Sequence, residues 1–184
     1  MHICASGNGN SNTPHYPAAF ELDNIVSVAA TDHNDNYADF SNYGPWTDLA
    51  APGDDIYSTV PKGNCPICDP SGYGTIGGTS MATPHVTGAV ALIAAKYPQL
   101  SLTHIKQRII TGVDPLTDTS KDTATNGRLN VYNTLEEDTT APGAVSDLLI
   151  TGLLLTQVEL NWTATGDDGM AGNANTYDVR YSTA

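Results

Sequence analysis

The sequence predicts an α/β domain built on a mainly parallel sheet with helices on both faces, followed by the truncated start of an all-β sandwich. Three observations predict it. Short β-branched or small-residue runs bounded by Gly, Pro and Asn recur up to residue 78. From Thr79 the apolar positions change to three- and four-residue spacing, the period of a helix. Strands that alternate with helices favour a parallel sheet. Past residue 143, apolar and polar residues alternate again, as half-buried antiparallel strands require.

In chain order, His2 to Ser6 has the apolar character of a buried strand and runs into the loop Gly7-Asn8-Gly9-Asn10. The β-branched run Ile25 to Ala30 is a second strand, and Asp48 to Gly53, stopped by Pro-Gly, is a third. Ile56 to Val60 is a further strand candidate. A Gly-, Pro- and Cys-rich loop follows from Gly63 to Gly78, with a short strand near Thr75-Ile76. In the helix that begins at Thr79, Val86, Ala89, Val90, Ile93 and Ala94 form the apolar face, and Gly88 and Ala91 are small enough for close packing. Pro84 is expected in its first turn, where a missing N–H costs little. Ser80 then lies at the positive end of a largely buried helix. Pro98 ends that helix, and Ser101 opens another with Leu102, Ile105 and Ile109 on one side. Residues 1–137 form one domain, 138–143 a polar, turn-rich linker, and 144–184 a second unit with strands at Val158 to Trp162 and Tyr177 to Tyr181.

Composition narrows the function. Lys and Arg total 7 against 20 Asp and Glu, for a net charge of −13, which repels nucleic-acid phosphates and anionic lipid headgroups. No nucleic-acid or membrane partner is therefore expected. Three cysteines, Cys4, Cys65 and Cys68, are too few for a disulfide scaffold. Cys65-Pro66-Ile67-Cys68 suits a zinc half-site or a redox dithiol, but zinc needs about four ligands and no second pair exists. A disulfide that staples the loop is the preferred reading, and Cys4 is read as a small core residue.

The most specific string is Gly77-Gly78-Thr79-Ser80-Met81-Ala82-Thr83-Pro84-His85-Val86. A serine before a helix is ordinarily a cap, yet here glycines permit close approach and the helix N-terminus favours negative charge beside Ser80. The string resembles the nucleophile motif of the subtilisin-like serine proteases. Cys4-Ala5-Ser6-Gly7-Asn8-Gly9-Asn10 resembles the family's strand and loop that carry its oxyanion-hole asparagine, which falls on Asn8. Asp39 to Gly44, Leu49 to Gly53 and Gly127 to Val131 resemble further segments of the same domain, so the likeness runs from Met1 to about Leu135.

The resemblance implies a subtilisin-like fold and hydrolysis of polypeptides through an acyl-enzyme on Ser80, with Asn8 stabilising the oxyanion. It implies substrate contacts at Ala5, Ser6, Gly7 and His15, the last near the floor of the specificity pocket. It implies export, chemistry without a cofactor, and room for structural calcium, although no loop nominates metal ligands. No Asp-Thr-Gly or His-Gly-Thr-His type string occurs, so the Asp and His of the family's triad are expected to lie before Met1, leaving an inactive fragment. His85, five residues past Ser80, is placed wrongly to act as the base, and His2, His33 and His104 carry no motif. Residues 138–184 resemble the start of a fibronectin type III domain, with Trp162 as its core tryptophan. The rival reading is a non-catalytic binding or adhesion protein that keeps a degenerate protease half.

Overall fold

The computed structural model describes residues 1–136, 144–153 and 158–163. The chain divides into two compact units, Met1–Glu136 and Glu137–Ala184.

In the first unit, every position of the β-branched run Ile25–Thr31 is buried, as an interior strand requires. This strand, β2, lies between β1 (His2–Ala5) and β3 (Leu49–Pro52), both parallel to it, with Cys4 opposite Ser27 and Ala29 opposite Ala50. Two two-residue strands, β6 (Asp114–Pro115) and β7 (Gly127–Arg128), complete a sheet of order β1-β2-β3-β7-β6, in which only β6 is antiparallel. The hairpin β4 (Ile56–Thr59) and β5 (Tyr73–Ile76) stands apart as a two-stranded sheet.

Side chains alternate across β2, so its two faces meet different partners. Val26, Val28 and Ala30 join Leu49, Ala51 and residues of three helices in the main core: α1 (Thr79–Lys96), α2 (Leu102–Thr111) and α3 (Val131–Leu135). Ala29 and Ala50 meet Tyr37 and Leu116 on the other face. Helices were expected on both faces; among the described residues they cover one, and loop side chains cover the other. Each large side chain buried in the main core, such as Leu49, Val86 or Ile93, contributes about 1.5–3 kcal/mol.

Four local expectations are corrected. Helix α1 starts at Thr79, so Pro84 lies inside it, a turn later than expected, and its ring denies the Ser80 carbonyl the usual N–H partner. The threonine hydroxyls of Thr83 and Thr87 bond the neighbouring carbonyls of Thr79 and Thr83, at 2.8 and 3.0 Å. Gly88 and Ala91 are exposed, not packed, because they lie about 200° and 140° around α1 from Val86. Strand β1 ends the sheet and is at most half-buried, and so is the Cys4 thiol, whose pKa burial pushes up. Leu102, in the first turn of α2, is 48% exposed while Ile105 and Ile109 are buried. Ser101 caps that helix as expected, its Oγ accepting the His104 N–H at 3.3 Å.

In the second unit, β8 (Leu149–Leu153) and β9 (Val158–Asn161) pair antiparallel, with a bulge between Ile150 and Gly152. The linker 138–143 and the strand expected at Tyr177 to Tyr181 lie outside the described residues.

Candidate active site

The loop after β1 is shaped by one side chain from another part of the chain. Asn42 Nδ2 donates to the Ser6 carbonyl at 2.9 Å, and Asn42 Oδ1 accepts the N–H groups of Gly9 and Ser11 at 2.9 and 3.1 Å. The Asn42 backbone N–H donates to the Gly7 carbonyl at 2.8 Å. Gly7 has φ +108°, and a Cβ there would lie 2.5 Å from Asn42 Nδ2, so no residue but glycine fits. Satisfied in this way, the loop turns Asn8 outward from the end of the sheet.

Asn8 then meets the head of α1. Its Oδ1 accepts both the backbone N–H and the hydroxyl of Thr79, each at 2.9 Å, and Thr79 Oγ1 in turn accepts the Gly7 N–H at 3.2 Å. Residue 78 at the N-cap is a glycine without a side chain, so Asn8 supplies the cap from 71 positions away. With the oxygen so occupied, the carboxamide nitrogen is held in a fixed direction. A Cβ built on Gly78 would lie 3.3 Å from Asn8 Nδ2 and 3.7 Å from the Ser80 backbone nitrogen. Both nitrogens lie within 4 Å of the point where a side chain at 78 would begin, and such a side chain would press on Asn8. Gly78 is itself anchored by its N–H to the Gly53 carbonyl at 2.7 Å, and the Ser80 side chain is exposed at the helix's positive end.

The structure thus brings Ser80, Asn8 and Gly7 together. His15 joins them: its Cδ2 would be 3.6 Å from a Cβ on Gly7. Ala5 ends β1, half-buried. Ser6 is fully buried, with its hydroxyl donating to the Asn42 carbonyl at 3.2 Å. Asn42 and Thr79 were present in the quoted strings, but nothing in them marked either as the residue that orients Asn8.

None of the chain's 5 histidines bonds the Ser80 hydroxyl. His85 Nδ1 is engaged with the Met81 carbonyl at 2.9 Å, His104 with Ser101 Oγ at 2.8 Å and His33 with Asn34, and His2 and His15 are exposed. A cavity of about 390 Å³ opens between the β4–β5 hairpin and α1, lined by Ile56, Tyr57, Ile76, Met81, Pro84 and His85 among others. Cys65 and Cys68 form the expected disulfide. Among the described residues no three His, Cys, Asp or Glu side chains gather as metal ligands would.

The α/β fold thus sets a serine at a helix head, beside an asparagine aimed by its neighbours. The chain belongs to the subtilase family, whose model (Peptidase_S8) matches residues 1–136. It is 40% identical over 134 residues to thermitase of Thermoactinomyces vulgaris, covering 73% of this chain and 43% of that protein. It is 41% identical over 111 residues to subtilisin DY of Bacillus licheniformis, covering 58% and 37%. Among solved structures it is similar to a protease from Pseudoalteromonas arctica, with TM-score 0.62, 31% identity, and coverage of 71% of this chain and 40% of that one. A cold-adapted subtilisin-like serine proteinase matches with TM-score 0.59 and 31% identity over 72% and 44% of the two chains. The chain spans less than half the length of each of these proteins.

Proposed function

We propose that these residues carry the nucleophile and oxyanion donors of a serine endopeptidase acting on polypeptides. The observation that carries the reading is the nearness of two nitrogens, Asn8 Nδ2 and the Ser80 backbone N, to the space beside Gly78. Ser80 Oγ attacks the scissile carbonyl carbon, and a histidine base supplied from outside these residues takes its proton. The carbonyl oxygen gains charge between the two donors, whose directions are set before the reaction by Thr79 and the helix backbone. The amine leaves with a proton, and water cleaves the acyl-enzyme. The chemistry draws on no cofactor, and structural calcium has no step in it.

Ala5, Gly7 and His15 are assigned to substrate contact, His15 as a wall of the specificity pocket. Against a non-catalytic binding protein stands the identity of about 40% to proteases, together with a bonded geometry at Asn8 that binding alone does not need. The antiparallel β8–β9 pair supports reading the second unit as the start of a fibronectin type III domain. Export fits the subtilisin relatives, and no helix among the described residues is long and apolar enough to cross a membrane. The test is labelling of the complete gene product by an active-site-directed fluorophosphonate: labelling and peptide cleavage that both vanish in Ser80→Ala confirm the nucleophile. Labelling that survives Ser80→Ala overturns it.

A further inference from the structure

Lys121 occupies an unusual place for a lysine on a surface loop. Its Nζ donates to three backbone carbonyls, Ala38 at 2.7 Å, Asp39 at 2.8 Å and Ser41 at 3.1 Å, and lies 5.7 Å from the centre of the Tyr43 ring. Three carbonyl oxygens converging on one point, with an aromatic face beside them, are what a bare cation would seek. These carbonyls bracket the turn that delivers Asn42, the side chain on which the Ser6–Ser11 loop is built.

The lysine is placed in advance. Its own loop is pinned on both sides, by Asp118 Oδ2 accepting the Tyr37 N–H at 2.8 Å, by the Asp122 carbonyl accepting the Gly44 N–H at 2.7 Å, and by a Tyr37–Thr123 hydroxyl bond at 3.1 Å. Asp39 and Asp118 supply the compensating negative charge, while burial weighs against the ammonium and draws its pKa below the usual lysine value.

We propose that Lys121 is a positioning residue, a tethered cation that gathers the carbonyls of Ala38, Asp39 and Ser41 and so fixes Asn42 and, through it, the direction of Asn8. This deepens the proposed function and rests on it. Without the ammonium the three oxygens repel one another, the turn relaxes, and the effect reaches Ser80 chemistry through Asn42, Gly9 and Asn8, with no contact to substrate. The defining property is that a free cation of similar size should replace the side chain.

The experiment is steady-state cleavage of a peptide by the complete gene product and its Lys121→Ala, Lys121→Met and Ser80→Ala variants. Loss of kcat in Lys121→Ala of about tenfold to a hundredfold, with KM within about twofold, is expected from a misplaced donor. Methylammonium or potassium chloride should restore kcat in Lys121→Ala. Neither should help Lys121→Met, whose side chain fills the cradle, and tetramethylammonium chloride at equal ionic strength should do nothing. Unchanged kcat in Lys121→Ala overturns the proposal, and so does a loss that no cation reverses or that tracks the folded fraction measured by circular dichroism. Activity retained in Ser80→Ala sinks the proposed function instead, and is read separately from any Lys121 result.

Discussion

Gly7 and Asn42 share one space: the position a Gly7 side chain would fill is already taken by the Asn42 carboxamide, at 2.5 Å. Gly7→Ala therefore combines a left-handed backbone angle, unfavourable to alanine, with a clash against a residue that holds five loop groups. The expected cost is about 1–3 kcal/mol of stability, read as a lower urea midpoint of the complete gene product. An unchanged midpoint would show that the loop can rebuild without Asn42.

Thr79 gives both of its donors to Asn8 Oδ1. Thr79→Val keeps the shape and the backbone bond but removes the hydroxyl, leaving the Gly7 N–H without its acceptor as well. Turnover should fall about tenfold or more while KM changes little, because Asn8 meets developing charge mainly in the transition state. Equal losses in kcat and substrate affinity would place Thr79 in ground-state binding instead.

His15 stands against Gly7 with its ring exposed. Replacing it by Gly should enlarge the pocket and move preference toward bulkier residues at the cleaved position. Identical cleavage profiles for both proteins on a peptide library would make His15 a surface residue and no more.

Asp118 accepts the Ser120 N–H and the Tyr37 N–H, each at 2.8 Å, and the bonds from Ser120 hold its carboxyl below the usual carboxylate range. The sign follows from the ionised form being favoured in the folded state. Its contribution is fully present above about pH 4, the unfolded value, and is lost as pH falls through the lower folded value. Asp118→Asn should flatten the decline of the urea midpoint on the acid side of about pH 4 relative to the parent. A parallel decline in both proteins would remove Asp118 from the acid response.

What the sequence disclosed depended on whether the controlling contacts were local. Ile25–Thr31 was legible because burial on both faces demands an unbroken run of β-branched and small residues, and the head of α1 because Gly-Gly-Thr-Ser is a local device. The sheet's second face was not legible, since Tyr37 and Leu116 reach it from loops that have no periodicity. Nor were Asn42 and Lys121: an Asn in a Ser-Asn-Tyr string and a Lys between Ser and Asp look like ordinary turn residues. Their partners lie about 30 and 80 positions away, at Ser6, Gly9 and Ser11 for one and at Ala38 to Ser41 for the other. The exposed outward side of α1 escaped notice because its Ala and Gly residues look the same buried or bare.

The disulfide Cys65–Cys68 closes a ring of short span at the end of the stretch 61–67, where every residue is exposed. Exposed loop tips are where peptide bonds are first nicked. A cut at either bond of Pro66 or at Ile67 leaves both new ends joined through sulfur, so β5 and the turn that presents Ser80 stay tethered to β4. The staple thus makes a nick at the tip a wound that need not part the hairpin.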